Sequence, residues 1–315
     1  MYLEWGIMRA DNKFNFREHL TPLVIMVFFW IIAIVLWRST GKIFYLFNFL
    51  YIGTSIGLAL VIYSVLPGEK KSSGRILTLF LVGGYMLIFL GLAKFENMQL
   101  EGFFFYLLSG LFAGSVIHYL VGKIFGPFLF GRGWCGWACW TAMVLDLLPY
   151  KRSSGRIPGK LGWLRYANFI LSLSVVLLFW FGLGYRTKSY GNTELYWLLF
   201  GNAVYYFIGI TLALALKDNR AFCKYICPIT AFLKATSRFS LLKIQGDVKK
   251  CNECKACVKT CPMDIQISDY VKNGDRVLST ECIFCQTCVN TCPEKALKIS
   301  FGFDIGGKEL LNERK

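Results

Sequence analysis

Six long apolar runs constrain this chain more than any other feature. They lie at Thr21–Trp37, Ile43–Leu66, Ile76–Leu92, Phe103–Val121, Trp163–Leu183 and Trp197–Leu216. A helix that crosses a bilayer needs about 20 mostly apolar residues. Backbone groups in hydrocarbon find no water, so they must be paired within the segment, as a helix pairs them. Only 17% of the residues are charged and 55% are hydrophobic, whereas soluble chains are about a quarter charged. The expected fold is an all-α transmembrane bundle of six helices over residues 21–245. Residues 1–20 precede it as a cytoplasmic N-terminal segment, and a small α+β domain occupies residues 246–315.

The formal net charge is +16. A large positive excess often signals nucleic acid, but here it sits between the apolar runs. Residues 246–315 hold 11 Lys+Arg against 10 Asp+Glu. The pattern therefore fits basic cytoplasmic loops and no nucleic-acid partner. One side collects three basic residues before the first run, three in Pro67–Arg75 and six in Gly122–Gly162. The other side collects two in Arg38–Lys42, one at Lys94 and two in Gly184–Tyr196. This predicts a multi-pass protein of the cytoplasmic (inner) membrane, with lipid as a partner and both termini in the cytoplasm. The first 19 residues carry Arg9, Lys13 and Arg17 but no apolar core, so no cleavable signal peptide is expected.

All twelve cysteines fall into clusters. Cys251, Cys254, Cys257 and Cys261 form C-x2-C-x2-C-x3-C before Pro262, and Cys282, Cys285, Cys288 and Cys292 repeat it before Pro293. This is the run that holds two [4Fe–4S] clusters in bacterial ferredoxins, where the fourth Cys of each run serves the other cluster. Cys251, Cys254, Cys257 and Cys292 are therefore expected on one cluster, and Cys282, Cys285, Cys288 and Cys261 on the second. With no Cys left over, reduced metal-binding thiolates are a better reading than disulfides. Zinc is the bland alternative, but its sites take four ligands, commonly in two pairs.

The other four cysteines form two C-x3-C pairs, Cys135/Cys139 and Cys223/Cys227. They lie in matching sequences, Arg132-Gly133-Trp134-Cys135-Gly136-Trp137-Ala138-Cys139 and Arg220-Ala221-Phe222-Cys223-Lys224-Tyr225-Ile226-Cys227, 88 residues apart. Each follows a hairpin of two apolar runs, so a parallel internal repeat with a pseudo-two-fold axis along the membrane normal is expected. On a helix, residues i and i+4 share a face, and the repeat would bring both pairs together. Four converging thiolates could hold a third iron–sulfur cluster, Zn²⁺ or Cu(I). Alternatively they are redox-active thiols, with Arg132 and Arg220 lowering their pKa, or buried apolar residues.

His118 offers a hydrogen bond to a quinone, a haem ligand or a packed structural ring. Arg132, Arg220, His118, Trp134 and Trp137 together make a candidate quinone site. The aromatic residues also suit an interfacial belt. The basic stretch Ile229–Leu242 is expected as a helix on the membrane surface, and Ala296–Phe303 as a closing strand.

Hairpins ending in C-x3-C followed by a two-cluster ferredoxin domain resemble the NapH/NosR/CcoG group of polyferredoxin-like membrane proteins, from about Ile76 to the C-terminus. That group usually has C-x3-C-P twice. Cys223/Cys227-Pro228 fits, whereas Trp140 follows Cys139. No stretch matches the extracytoplasmic flavin domain of NosR, which leaves the stand-alone NapH-like form. The resemblance implies a quinol-linked electron donor, or a reductase or assembly factor for copper enzymes. The expected function is thus iron–sulfur electron transfer between the quinone pool and a partner oxidoreductase or ferredoxin-type subunit. Such a protein would be a quinol- or quinone-linked oxidoreductase subunit. Two alternatives remain: a membrane copper reductase or assembly factor using the C-x3-C thiols, and a non-catalytic wiring subunit of a larger respiratory complex.

Overall fold

The computed structural model describes residues 16–112, 114–151, 155–159, 161–186 and 191–314. The expected N-terminal segment lies largely outside these residues. The chain divides into two compact units, Met1–Val65 and Leu66–Lys315.

The first unit is a helical hairpin of α1 (Phe16–Thr40) and α2 (Ile43–Val65). Gly41 turns the chain with φ +67°, and its N–H donates to the Trp37 carbonyl at 2.8 Å. Gly53 and Gly57 let the helices close: a Cβ at either position would overlap Phe29 or Met26. This spacing of small residues is common where apolar helices pack by shape alone.

The second unit begins with α3 (Lys71–Ala93), much of it in wider π-helical turns. Then follow α4 (Leu100–Leu108), α5 (Gly114–Phe130), α6 (Gly133–Trp137), α7 (Trp140–Leu145), α8 (Leu161–Gly182) and α9 (Asn192–Leu216). Among the described residues five helices, Pro22–Thr40, Ile43–Val65, α3, α8 and α9, are long and apolar enough to cross a membrane.

The fourth run is not one helix, which corrects the expected span Phe103–Val121. It divides into α4 and α5. Gly110 takes φ +67°, and Leu111 N–H donates to the Tyr106 carbonyl at 2.9 Å. That six-residue closure around a left-handed glycine is a Schellman stop. Apolar periodicity runs straight across it and so gives no warning.

The remaining elements are α10 (Ala221–Tyr225), α11 (Thr230–Ser237), β1 (Leu242–Gly246), α12 (Ala256–Lys259), α13 (Ile267–Lys272), α14 (Thr287–Asn290) and β2 (Leu297–Phe301). β1 and β2 pair antiparallel, from Leu242 opposite Phe301 to Gly246 opposite Leu297. The expected surface helix Ile229–Leu242 is corrected on two counts. It stops at Ser237, and Leu242 already belongs to the ribbon. Its Thr230, Leu233 and Ser237 are buried, and Lys234 pairs with Glu281 at 2.5 Å. An internal carboxylate has claimed the cation that would have faced lipid phosphates.

Candidate functional site

The ferredoxin-like loops enclose two cavities. One is lined by Cys261, Cys282, Cys285 and Cys288 with Ile244, Ile265 and Val277. The other is lined by Cys251, Cys254, Cys257 and Cys292 with Val271 and Leu297. Each therefore meets three cysteines of one run and the last of the other. The backbone around them repeats as well. Glu253, Lys255 and Asp264 have φ between 55° and 58°, and Phe284, Gln286 and Lys295 between 48° and 60°. Each residue of the second set lies 31 positions after its counterpart. Left-handed φ is uncommon outside glycine and costs roughly 1–2 kcal/mol per residue. Here it turns successive N–H groups inward, a concavity that suits an anionic cluster. Ile265 N–H and Ala296 N–H point at the Cys261 and Cys292 sulfurs, at 3.5 and 3.3 Å.

Each C-x3-C pair sits on a single helical turn, α6 or α10, and just beyond it. The second Cys has already left the helix, which corrects the expectation of i and i+4 on one continuous helix face. The four thiols nevertheless gather. Cys227 lies within electrostatic reach of Cys223, Cys135 and Cys139. Burial outweighs Arg220 and pushes the Cys223 thiol up to about 11; burial drives Cys227 up as well. Both shifts run opposite to the expected lowering by arginine. Among the described residues no three His, Cys, Asp or Glu side chains close to single-ion spacing.

The first pair is built against the ferredoxin loops. A Cβ on Gly136 would overlap the Ile283 carbonyl oxygen, and Trp137 Nε1 donates to the Phe284 carbonyl at 2.9 Å. Both acceptors lie between Cys282 and Cys285. Cys135 packs into the same apolar core as Cys261 and Cys288.

Two buried acids bind the copies together. Asp146 accepts from Arg220 at 2.6 Å and Arg75 at 2.8 Å. Glu281 accepts from Arg132 at 2.7 Å, Arg156 at 2.9 Å, Arg165 at 2.8 Å and Lys234 at 2.5 Å. Burial pushes the Glu281 carboxyl up, but the four cations overrule it and hold it well below the usual range. Lys224, wholly buried, bridges Asp218 at 2.6 Å and Asp264 at 2.5 Å. Glu281 precedes Cys282 and Asp264 follows Cys261 by three residues, so both latches hold the loops of the first cavity. Sequence reasoning passed over Glu281, Asp146, Arg75, Arg165 and Lys224. Arg75 and Arg165 do stand 90 residues apart, close to the repeat length, and that was a usable signal.

The residues gathered as one quinone site fall in separate places. Arg132 is taken up by Glu281 and Trp137 by Phe284. His118 packs on Trp134 at 4.5 Å, beside the buried Lys123, whose Nζ sits 5.3–5.6 Å from the rings of Tyr119, Trp134 and Trp140. Among the described residues His118 Nε2 and Trp134 Nε1 have no hydrogen-bond partner. Of the gathered residues Arg220 alone borders a larger cavity, of ≈ 210 Å³, with Arg75, Tyr150, Asn219, Pro262 and Thr287.

Comparison with known proteins bears on these centres. A 4Fe-4S dicluster domain family matches residues 250–297. A second family, a 4Fe-4S binding domain, matches twice, at 112–157 and 200–245; each stretch contains one C-x3-C pair. An uncharacterized protein of Methanocaldococcus jannaschii is 29% identical over 50% of this chain and 61% of its own length. A second from that organism is 28% identical over 60% of this chain and 81% of its own. The methylamine utilization ferredoxin-type protein MauN of Methylobacillus flagellatus is 27% identical over 50% of this chain and 60% of its own. The chain thus spans about three fifths of the first and third. No solved structure matches. Cysteine placement and these matches support 4Fe–4S domains of a ferredoxin type in this chain. Its 4Fe–4S domains are of the ferredoxin class, whose chemistry is electron transfer, and it carries helices able to span a membrane.

Proposed function

We propose that this chain is an integral membrane protein that passes electrons between the quinone pool and a partner oxidoreductase or ferredoxin-type subunit. The observation that carries the reading is the pair of cavities, each lined by the crossed set of four cysteines. Cys251, Cys254, Cys257 and Cys292 hold one [4Fe–4S] cluster, and Cys282, Cys285, Cys288 and Cys261 the other. Clusters so held supply one-electron transfer at a potential that hydrogen bonds and solvent exposure tune. The protein's own work is to fix the ligand loops, keep water from the inner cavity and lock that half of the domain to the membrane helices.

Cys135, Cys139, Cys223 and Cys227 hold a third iron–sulfur centre. Their mutual electrostatic reach supports this, as does the 4Fe-4S family that covers both pairs. The repeat relates the two pairs by a pseudo-two-fold axis. The quinone ring is received in the cavity beside Arg220. There Ile76 and Pro262 offer apolar contact, and Arg75, Arg220 and Tyr150 offer donors. The clusters and both termini lie on the cytoplasmic side.

Iron analysis with Mössbauer spectroscopy on anaerobically purified protein tests this. About twelve irons, all in four-iron clusters, support the reading, with loss of four in the Cys135→Ser/Cys223→Ser variant. About eight irons, unchanged in that variant, remove the third centre. Iron absent from the wild type removes the function.

A further inference from the structure

The two ferredoxin cavities meet different surroundings. The Cys261/Cys282/Cys285/Cys288 side is closed by the Glu281 and Lys224–Asp264 latches and by the approach of Gly136 to Ile283. On the other side Asn252, Glu253, Cys254 and Lys255 are all exposed. A cluster ligand at the surface marks a place where an electron can cross to another molecule.

Six exposed lysines lie within six residues of that cavity's cysteines in the chain: Lys249, Lys250, Lys255, Lys259, Lys295 and Lys298. Among the described residues only Lys250 of the six reaches a carboxylate, Asp247, at a loose 4.0 Å. Of the neighbouring acids, Glu253 is paired by Lys272 at 2.6 Å, and Glu294, which accepts from the neutral Asn252 Nδ2 at 3.0 Å, keeps its charge, so six lysines stand against Asp247 and Glu294. The rim is therefore positive, although residues 246–315 as a whole are nearly neutral. Charge gathered on one face of a balanced domain serves recognition more than solubility.

We propose that this lysine rim is the docking surface for a small acidic one-electron carrier protein of the ferredoxin or flavodoxin class. The inference rests on the cluster held by Cys251, Cys254, Cys257 and Cys292. In one encounter the reduced carrier loses one electron and that cluster gains it; no bond or proton changes hands. Opposite charge steers the encounter and raises the association rate roughly 10–10³-fold at low salt. The rim favours a protein over a lipid surface. Val248 is the one large hydrophobic residue exposed among residues 247–260, and the exposed Ile299 and Phe301 alternate with Lys298 along β2 and so stand on its opposite face; an interfacial segment would need its apolar face beside the lysines.

The experiment is stopped-flow reduction of the full chain in nanodiscs by a reduced acidic [2Fe–2S] ferredoxin, with dithionite as the small-molecule control. Two charge-reversal variants are compared, Lys255→Glu/Lys259→Glu/Lys295→Glu and Lys249→Glu/Lys298→Glu. The second leaves the cysteine loops untouched. The expected result is a drop of tenfold or more in the ferredoxin rate from 20 to 300 mM salt. A similar drop is expected in both variants at 20 mM, with the amplitude of dithionite reduction and the iron content unchanged. Ferredoxin rates that move less than twofold in fully loaded variants overturn the proposal. So does an effect confined to binding of vesicles rich in anionic lipid, which assigns the rim to a membrane. Wild-type protein without a four-iron signal overturns the cluster reading as well.

Discussion

Arg220 donates from Nη1 to the carbonyl oxygen of Cys135 at 2.9 Å. The bond is returned between the two C-x3-C stretches, where Arg132 donates from Nη2 to the Cys223 carbonyl at 3.4 Å. Two more arginines complete the exchange. Arg75 donates to the Gly136 carbonyl at 2.8 Å, and Arg165 donates to the Lys224 carbonyl. Each C-x3-C turn is thus held by one arginine from its own copy and one from the other. A guanidinium presents several donors in a fixed plane and stays charged when buried, so it can tie a turn and an acid together.

The two arginines should not be equal in consequence. Without Arg220, Asp146 keeps one partner, Arg75; without Arg132, Glu281 keeps three. Neither loss leaves an acid without a cation, so both fall within about 1–3 kcal/mol, the cost of a lost charged hydrogen bond. Arg220→Gln, which removes one of only two cations from Asp146, is expected at the upper end and Arg132→Gln at the lower. Thermal unfolding in detergent, followed by circular dichroism, gives the order. An equal loss in both would mean that the carbonyl bonds matter more than the acids.

Glu281 neutralises cations from three stretches of the chain, so Glu281→Gln leaves Arg132, Arg156, Arg165 and Lys234 facing one another. A loss of about 3–5 kcal/mol is expected, with faster proteolytic cleavage between β1 and the first cysteine run. The carboxyl is held well below its ordinary 4.5. A depressed acid contributes stability that is present above its unfolded pKa and lost as pH falls through its folded pKa. The gap between wild type and Glu281→Gln should therefore stay constant from pH 5.5 to 8. A gap that closes on acidification within that window would show that Glu281 titrates there.

What the sequence disclosed and what it hid divide along a physical line. Eight cysteines at ferredoxin spacing and two C-x3-C copies are local patterns, and their chemistry is carried by the spacing. Long apolar runs are equally local. Asp146 and Glu281 have no spacing; each is defined by arginines 71 to 149 residues away. The break at Gly110 was invisible because apolar character continues through it. Left-handed φ at Glu253, Lys255, Phe284 and Gln286 falls on residues that rarely adopt it. Only the demand of wrapping a cluster makes them do so.

Gly136 allows the backbone of the first C-x3-C turn to lie against the loop between Cys282 and Cys285. In Gly136→Ala the new methyl meets the Ile283 carbonyl oxygen, which is backbone and cannot rotate aside. Overpacking at such a site costs about 1–3 kcal/mol and pushes the C-x3-C turn away from the loop between Cys282 and Cys285. The expected result is a lower melting temperature and an altered low-temperature EPR signal of the reduced clusters. Gly84→Ala is the control, since its nearest neighbour would be the Met143 sulfur at 3.9 Å. An unaltered Gly136→Ala spectrum and melting temperature would mean that the loop yields without loss.

Glu96 lies between α3 and α4, 4% exposed, with its carboxylate accepting the Ser115 N–H at the start of α5. Burial raises its pKa from 4.5 to about 7, and the Ser115 bond only partly opposes that. The sign follows from proton counting. Between the unfolded and folded values the folded chain binds more protons, so stability falls as pH rises, by about 1.4 kcal/mol per pH unit for one group. Thermal unfolding in detergent should show the wild type losing roughly 2 kcal/mol between pH 5.5 and 7 and levelling above the folded pKa. Glu96→Gln, which keeps the acceptor and cannot ionise, should remove that slope and be the more stable chain at pH 8. A slope that survives the substitution would assign the titration to another group and leave Glu96 ionised within the fold.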